Sequence, residues 1–189
     1  MKLSPHHEPS IFSSRLELVH LSAEEMRIIV EDDDSSVVWH GKTFTNSYGI
    51  LIGDAGPLHW RLPQVYKDQM SNKWFVRLII EQDTKQVVGT TSFHEPPSTE
   101  GLLEIGIEIV PEKQRKGFAT EALIAMWTWA LTHDEVKTLR YCVGESNVAS
   151  IALIEKLGFH RVGIQIDEVD GTEFIYEISD GEFRQKFLT

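Results

Sequence analysis

The chain has 189 residues, of which 41% are hydrophobic and 25% charged, a mixture typical of one globular domain with a substantial core. Its formal net charge of −11 disfavours nucleic acid as a partner, because an acidic surface repels phosphate backbones. The single cysteine, Cys142, excludes an intramolecular disulfide and a cysteine-based metal cluster, and it fits a reducing cytoplasm. Since no apolar run approaches the roughly 18 residues of a membrane helix, no membrane association is expected.

The first third of the chain predicts an arm, a strand and two helices. We expect residues 1–13 to form a flexible N-terminal arm and residues 14–189 to form a single domain. Alternating apolar and polar residues predict a strand over 14–21, and Ser22 then caps a helix that runs to about Glu31. Residues 35–63 are rich in aromatic residues and follow no clear period, which is typical of a binding segment. A short helix is expected over 63–70.

The rest of the chain predicts a mixed α/β or α+β sheet. Strands are predicted over 73–81, 86–93 and 102–110, because β-branched and aromatic residues are frequent there. Helical spacing of apolar residues predicts a helix over 117–132, followed by a strand over 139–143. Ser146 or Asn147 caps the next helix, which Gly158 ends. A final hairpin pairs 161–169 with 172–178 around Asp170 and Gly171.

Residues 111–120 join a predicted strand directly to a predicted helix. Gly117 allows close approach of a ligand, and the first turn of a helix offers free N–H groups at its positive end. Such a turn binds phosphate oxygens, and Lys113, Arg115 and Lys116 add three positive charges to an acidic chain. The spacing matches neither the Walker A loop nor the dinucleotide fingerprint. The residues leave two interpretations open, an anion site and a solvated basic turn.

Several motifs resemble those of the GNAT acetyltransferases. QRKGFA at 114–119 is similar to the Q/R-x-x-G-x-G/A signature, within the strand–turn–helix LEIGIEIVPEKQRKGFATEAL of 103–123. NVAS at 147–150 and LIEKLGF at 153–159 resemble the helix downstream of that signature. SRLELVHLS at 14–22 resembles the start of the RimJ/RimL-like branch, which acylates protein N-termini and some small amines. The implied fold is a central, mostly antiparallel sheet, splayed between its fourth and fifth strands and flanked by helices.

The resemblance implies a coenzyme A site. Its pyrophosphate is expected to bind along the turn, at Gln114, Arg115, Lys116, Gly117, Phe118 and Ala119. The backbone of Ile109 and Val110 is expected to pair with the pantetheine amides. Asn147 is expected to hydrogen-bond the pantetheine arm, or to serve as a helix cap, which its position fits equally well. Ser150 is expected to reach the sulfur as a proton donor, or to be a surface hydroxyl.

Candidate bases lie on the strand over 102–110. Glu104 and Glu108 share one face with Gly106, and apolar residues occupy the other face. We predict Glu108 as the base because it is nearer to the thioester end, with Glu104 as the next candidate; a solvated strand face is the alternative. The chain departs from the family pattern in two places. Ile154 stands where some members have a tyrosine acid, and Cys142 stands where some have a glutamate.

The sequence therefore predicts an acetyl-CoA-dependent N-acetyltransferase that acts on a protein N-terminus or a small amine. A polyamine, an aminoglycoside or an amino acid remains open as the acceptor, as do monomer and homodimer. A non-catalytic acyl-CoA sensor with the same fold is the alternative from another functional class. No metal is expected, because the histidines show no ligand spacing and His94-Glu95 lacks the second histidine of HExxH.

Overall fold

The computed structural model describes residues 2–32, 35–167 and 171–189. Within them a mixed sheet has the strand order β1-β2-β3-β4-β5-β6-β8-β7. The strands are β1 Ile11–Phe12, β2 Leu16–His20, β3 Arg77–Glu81, β4 Gln86–Phe93, β5 Leu102–Ile109, β6 Thr138–Gly144, β7 His160–Asp167 and β8 Gly171–Ser179. The α-helices are α1 Ala23–Glu31, α2 Leu58–Lys67, α3 Phe118–Ala130, α4 Val148–Lys156 and α5 Asp180–Phe187. Short 3-10 turns span Ser35–Trp39, Gln69–Trp74 and Pro111–Lys113.

The sheet opens at its centre. β5 and β6 are parallel neighbours, but their pairing covers only Leu102–Glu104 against Thr138–Arg140. Beyond that point β5 continues beside β4 and β6 continues beside β8, both antiparallel. This confirms the predicted fold class, a mostly antiparallel sheet splayed between the two strands, and it leaves one edge of β5 unpaired.

The side chains of β5 alternate between an apolar face and a face that carries the glutamates, as predicted. Leu103, Ile105 and Ile109 are buried, Glu104 is half-buried and Glu108 is exposed. Antiparallel partners share a sheet face, so the register with β4 places Thr90 beside Glu108 on the glutamate face. The sheet thus presents a polar face along β4 and β5.

The N-terminal segment differs from the expected loose arm. Leu3 is 1% exposed and belongs to the hydrophobic core. Ile11 pairs with Leu18 of β2, and His7 Nδ1 lies 2.8 Å from the His20 carbonyl oxygen. A single apolar residue and a two-residue strand produce no periodic pattern, so only packing reveals them.

Element boundaries also differ in places. α2 spans Leu58–Lys67 and holds Pro63 in its interior, although the helix was expected over 63–70. α5 was not predicted; Ser179 and Glu182 form a capping box at its N-terminus. By contrast, Ser22 caps α1 as expected, with a capping box to Glu25. The turn predicted at Asp170 of the last hairpin falls outside the described residues.

Two kinds of feature are absent from the part of the chain that the structure describes. No helix there is both long and apolar enough to cross a membrane. No group of three or more His, Cys, Asp or Glu side chains there is placed to hold a metal ion. The expectation of a metal-independent protein stays a prediction.

Candidate functional site

A cleft of about 490 Å³ opens where β5 and β6 part. Seven of the nine residues predicted to bind coenzyme A line it: Ile109, Gln114, Arg115, Gly117, Phe118, Ala119 and Asn147. Two of the predicted catalytic residues, Glu108 and Ser150, line it as well. Val110 and Lys116 lie outside this lining, and Glu104 lines a separate cavity.

The turn between β5 and α3 has the backbone geometry of an anion cradle. Arg115 has φ +58° and Gly117 has φ +82°, both in the left-handed region. Gly117 is the N-cap of α3, and no side chain caps the helix there. Since the first N–H groups of a helix have no partner within it, those of α3 open into the cleft at the positive end of the helix.

The predicted basic charges of the turn divide into two groups. Lys113 is half-buried and pairs with Glu81 at 2.5 Å, so its charge is largely neutralised. Arg115 and Lys116 are exposed. The excess positive charge at the mouth of the cleft therefore comes from these two side chains.

Arg15 contacts the turn at Lys116 and Phe118. Its Nε donates to Glu121 at 2.7 Å, its Nη1 donates to the Lys116 carbonyl at 3.0 Å, and its guanidinium lies 4.7 Å from the centre of the Phe118 ring. Burial raises the pKa of the Glu121 carboxyl, but hydrogen bonds from Ser13 and Arg15 lower the pKa more, and the balance is below its usual range. Glu121 thus fastens the start of α3 to the start of β2. The sequence contained no local signal for this contact.

The unpaired edge of β5 offers backbone groups to the cleft. The Val110 N–H donates to the Val88 carbonyl, and the Glu104 carbonyl accepts from the His94 N–H. The even-numbered residues along β5 therefore direct their backbone N–H and C=O groups toward β4. Ile107 and Ile109 therefore direct their N–H and C=O groups toward the splay. The Ile109 carbonyl also accepts a hydrogen bond from Gln114 Nε2 at 2.9 Å, which ties the strand end to the turn.

The facing wall of the cleft carries three polar side chains. Asn147 Oδ1 accepts from Ser150 N–H at 3.1 Å, so Asn147 is the N-cap of α4. The Ser150 hydroxyl lies 2.8 Å from the Tyr141 hydroxyl. Burial raises the pKa of Tyr141, while the Ser150 hydrogen bond opposes the rise, and the pKa stays above its usual value. Tyr141 is 7% exposed and lines the cleft, a contribution that the sequence analysis missed.

Cavities of about 690, 170 and 230 Å³ lie against the glutamate face of β4 and β5. Glu108 lines the two smaller ones as well as the cleft, so it stands at their junction. Residues of the irregular segment over 35–63 line these cavities: Tyr48, Gly49, Ile50, Leu51, Ile52, Asp54, Gly56, Pro57, Trp60 and Arg61.

His94 and Glu104 form a pair in these cavities. Glu104 Oε1 lies 3.1 Å from His94 Nδ1. A Cβ built on Gly106 would lie 3.0 Å from His94 Nε2, so the ring extends over Gly106 in close contact with it. Burial raises the pKa of the Glu104 carboxyl, but hydrogen bonds from His94 and Cys142 lower it more, leaving it below its usual range. Burial and Glu104 raise the pKa of the Cys142 thiol, which argues against a nucleophile.

Comparison with known proteins agrees with this geometry. Residues 15–160 match the family model described as the acetyltransferase (GNAT) domain. The chain is 30% identical over 100 residues to the uncharacterized N-acetyltransferase YoaA of Bacillus subtilis, which covers 53% of the chain and 55% of that protein. The chain spans about half the length of the curated relatives it matches.

Solved structures share the fold at low identity. A putative ribosomal-protein-serine acetyltransferase from Vibrio cholerae matches with a TM-score of 0.62 and 19% identity, over 94% of this chain and 99% of that one. The ribosomal-protein-S5-alanine acetyltransferase from Vibrio fischeri matches with a TM-score of 0.63 and 12% identity, over 93% and 99%. With the splayed strands, the glycine-bearing turn and a family match over most of the sequence, this chain belongs to the GNAT acetyltransferase family.

Proposed function

We propose that this protein transfers an acetyl group from acetyl-CoA to a primary amine within a ternary complex. One observation carries the proposal: the unpaired edge of β5 and the uncapped N-terminus of α3 open on the same cleft. The first can pair with an extended amide chain, and the second can bind a pyrophosphate. Acetyl-CoA contains an extended amide chain, a pyrophosphate and a reactive thioester carbon.

Different residues of the cleft bind the pyrophosphate and the pantetheine amides. The N–H groups from Gly117 onward face the pyrophosphate, and Arg115 and Lys116 supply countercharge at the surface. Ile107 and Ile109 face the splay, whereas the N–H and C=O groups of Val110 are taken by Val88 and Lys113. Ile107 is therefore a better partner for the pantetheine amides than Val110. Asn147 caps α4 through Oδ1, which leaves its Nδ2 to donate into the cleft.

Glu108 is the proposed proton acceptor. It stands where the coenzyme A cleft meets the cavities on the glutamate face, so an amine that reaches the thioester passes beside it. Glu104 is bound to His94, and its lowered pKa makes it a weaker base. In this arrangement Glu104 orients the His94 ring rather than removing the proton itself.

Ser150 and Tyr141 are the proposed proton source for the leaving sulfur. As the new C–N bond forms and the C–S bond breaks, one proton passes to sulfur through the hydrogen-bonded Ser150 and Tyr141 hydroxyls. The amine proton that Glu108 accepts goes to solvent, and solvent returns one proton to the hydroxyl pair, so both hydroxyls end the reaction protonated. The raised pKa keeps Tyr141 protonated at neutral pH. A thiol with a pKa near ~8.5 is already a fair leaving group, so this assistance is modest.

The acceptor is a protein N-terminus or a small amine, and the reaction belongs in the cytoplasm. An α-amine has a pKa near ~8 and is partly neutral at physiological pH, whereas a lysine amine near ~10.4 needs more help from the base. The single cysteine suits a reducing compartment.

Release of free thiol from acetyl-CoA, measured against a panel of amines, tests this function. An enzyme releases thiol only when an acceptor is present and forms one acetylated product for each thiol. A sensor binds acetyl-CoA, seen by calorimetry, without releasing thiol for any amine, and that result would remove the enzymatic proposal.

A further inference from the structure

A buried arginine faces the cavities on the glutamate face without a carboxylate partner. Arg61, on α2, is 8% exposed, and it lines both the 690 Å³ cavity and the 170 Å³ cavity. Its Nε donates to Ser92 Oγ at 3.3 Å, and its guanidinium lies 6.0 Å from the centre of the Phe75 ring. Among the described residues no carboxylate lies within 4 Å of it, although Glu95 and Glu104 line the same cavity and attract its charge from farther away. Arg140, in the same cavity, pairs directly with Glu177.

An unpaired buried charge is costly, so its retention calls for a partner. Burial lowers the pKa of Arg61 to about 10, a value at which the guanidinium is still protonated at neutral pH. The outer nitrogens of an arginine form a fork that matches a carboxylate in two parallel hydrogen bonds. Here Nε is held by Ser92, so Nη1 and Nη2 are the groups left for a ligand.

We propose that Arg61 binds a carboxylate of the acceptor, which makes the substrate a primary amine that also carries a carboxylate; this inference rests on the proposed acetyl transfer. A carboxylate fits better than a phosphate, because Glu95 and Glu104 line the same cavity and disfavour a second negative charge. A polyamine has no group for Arg61 and would leave its guanidinium without a bonded partner.

The sheet register sets the spacing of the two ends of the acceptor. Ser92, which holds Arg61, pairs with Gly106, and Glu108 lies two residues farther along β5. Two residues of a strand span roughly 7 Å. The carboxylate therefore lies several bonds from the reacting amine. A dipeptide C-terminus and an acidic side chain near a peptide N-terminus both meet this condition.

Matched acceptors that differ only in the carboxylate test the proposal. Glycylglycine is compared with its amide, and amidated Ala-Asp-Ala is compared with amidated Ala-Asn-Ala, by kcat/KM for thiol release. The parent protein should prefer at least one carboxylate form, and the pair that shows the preference identifies the source of the carboxylate. Arg61→Met should lower kcat/KM for that form by roughly 10- to 100-fold and leave the amide nearly unchanged.

Two further variants serve as controls. Arg61→Lys should keep part of the preference because it keeps the charge. Arg161→Met removes an exposed arginine that stacks on Phe174, outside the lining of these cavities, and should keep all of the preference. Thermal melts of each variant establish that it is folded.

Binding separates this inference from the proposed function. Calorimetric titration of N-acetylglycylglycine and its amide, in the presence of coenzyme A, requires no turnover. Thiol release without a carboxylate preference, together with equal affinities for the two ligands in the parent protein, would overturn the role of Arg61 and leave the enzyme standing. A tighter fit for a phosphonate analogue than for the carboxylate would overturn the assignment of the anion.

Discussion

Replacing Gly117 by valine tests the cradle at the start of α3. Gly117 has φ +82°, and a Cβ there would lie 3.3 Å from Arg15 Nη2. The left-handed region costs a side-chain-bearing residue roughly 1–3 kcal/mol, most for a β-branched one, and shifting Arg15 by a few tenths of an ångström weakens its hydrogen bonds by about 1 kcal/mol more. The sum is roughly 2–4 kcal/mol, and the backbone can avoid it only by abandoning the cradle.

The assay is calorimetric titration with coenzyme A. If the turn relaxes, affinity should fall by roughly 30- to 1,000-fold, since every 1.4 kcal/mol is tenfold. Gly41→Val is the matched control, because Gly41 has φ +72° and no atom within 4 Å of a built Cβ, and it lines none of the cavities described. Both variants should lower Tm, by roughly 2–4 °C for each kcal/mol in a chain of this length, but only Gly117→Val should lose coenzyme A. Undiminished affinity in a folded Gly117→Val protein, or an equal loss in the control, would refute the reasoning.

Three further predictions concern the chemistry and the fold. Glu108→Gln should lower the rate roughly 10²-fold at acidic pH and recover as pH rises through the pKa of the amine; a pH–rate profile that matches the parent would place the base elsewhere. Ser150→Ala and Tyr141→Phe should each lower kcat severalfold with coenzyme A affinity unchanged, and the double variant should add little, because the two hydroxyls act as one donor. Burial lowers the pKa of His20 from 6.5 to about 4, so the unfolded chain binds a proton at this residue before the folded one does. The free energy of unfolding should therefore fall by up to about 3 kcal/mol as the pH drops from 6.5 to 4. In His20→Gln, denaturant melts at pH 7 and pH 5 should differ less than in the parent.

The cleft that we propose for coenzyme A could be located from the sequence because its signals are local. Alternation in β5, the change of period at Gly117 and the caps of α1 and α4 each arise from residues within a few positions of one another. A glycine just before a helix indicates a left-handed backbone position by itself, because glycine adopts positive φ without steric cost. The family resemblance over the same stretch was confirmed by the match to residues 15–160.

Other features of the site depend on contacts between distant parts of the chain. Arg15 meets Glu121 across 106 positions, Arg61 meets Ser92 across 31, and Tyr141 reaches Ser150 only because α4 packs back on β6. No periodicity encodes such pairs, since they follow from sheet register and from the path of α2 over the glutamate face. Composition and local pattern therefore determined the fold and the cradle. Only tertiary packing decided which charges are paired, which buried arginine lacks a bonded carboxylate, and which hydroxyl contacts Ser150.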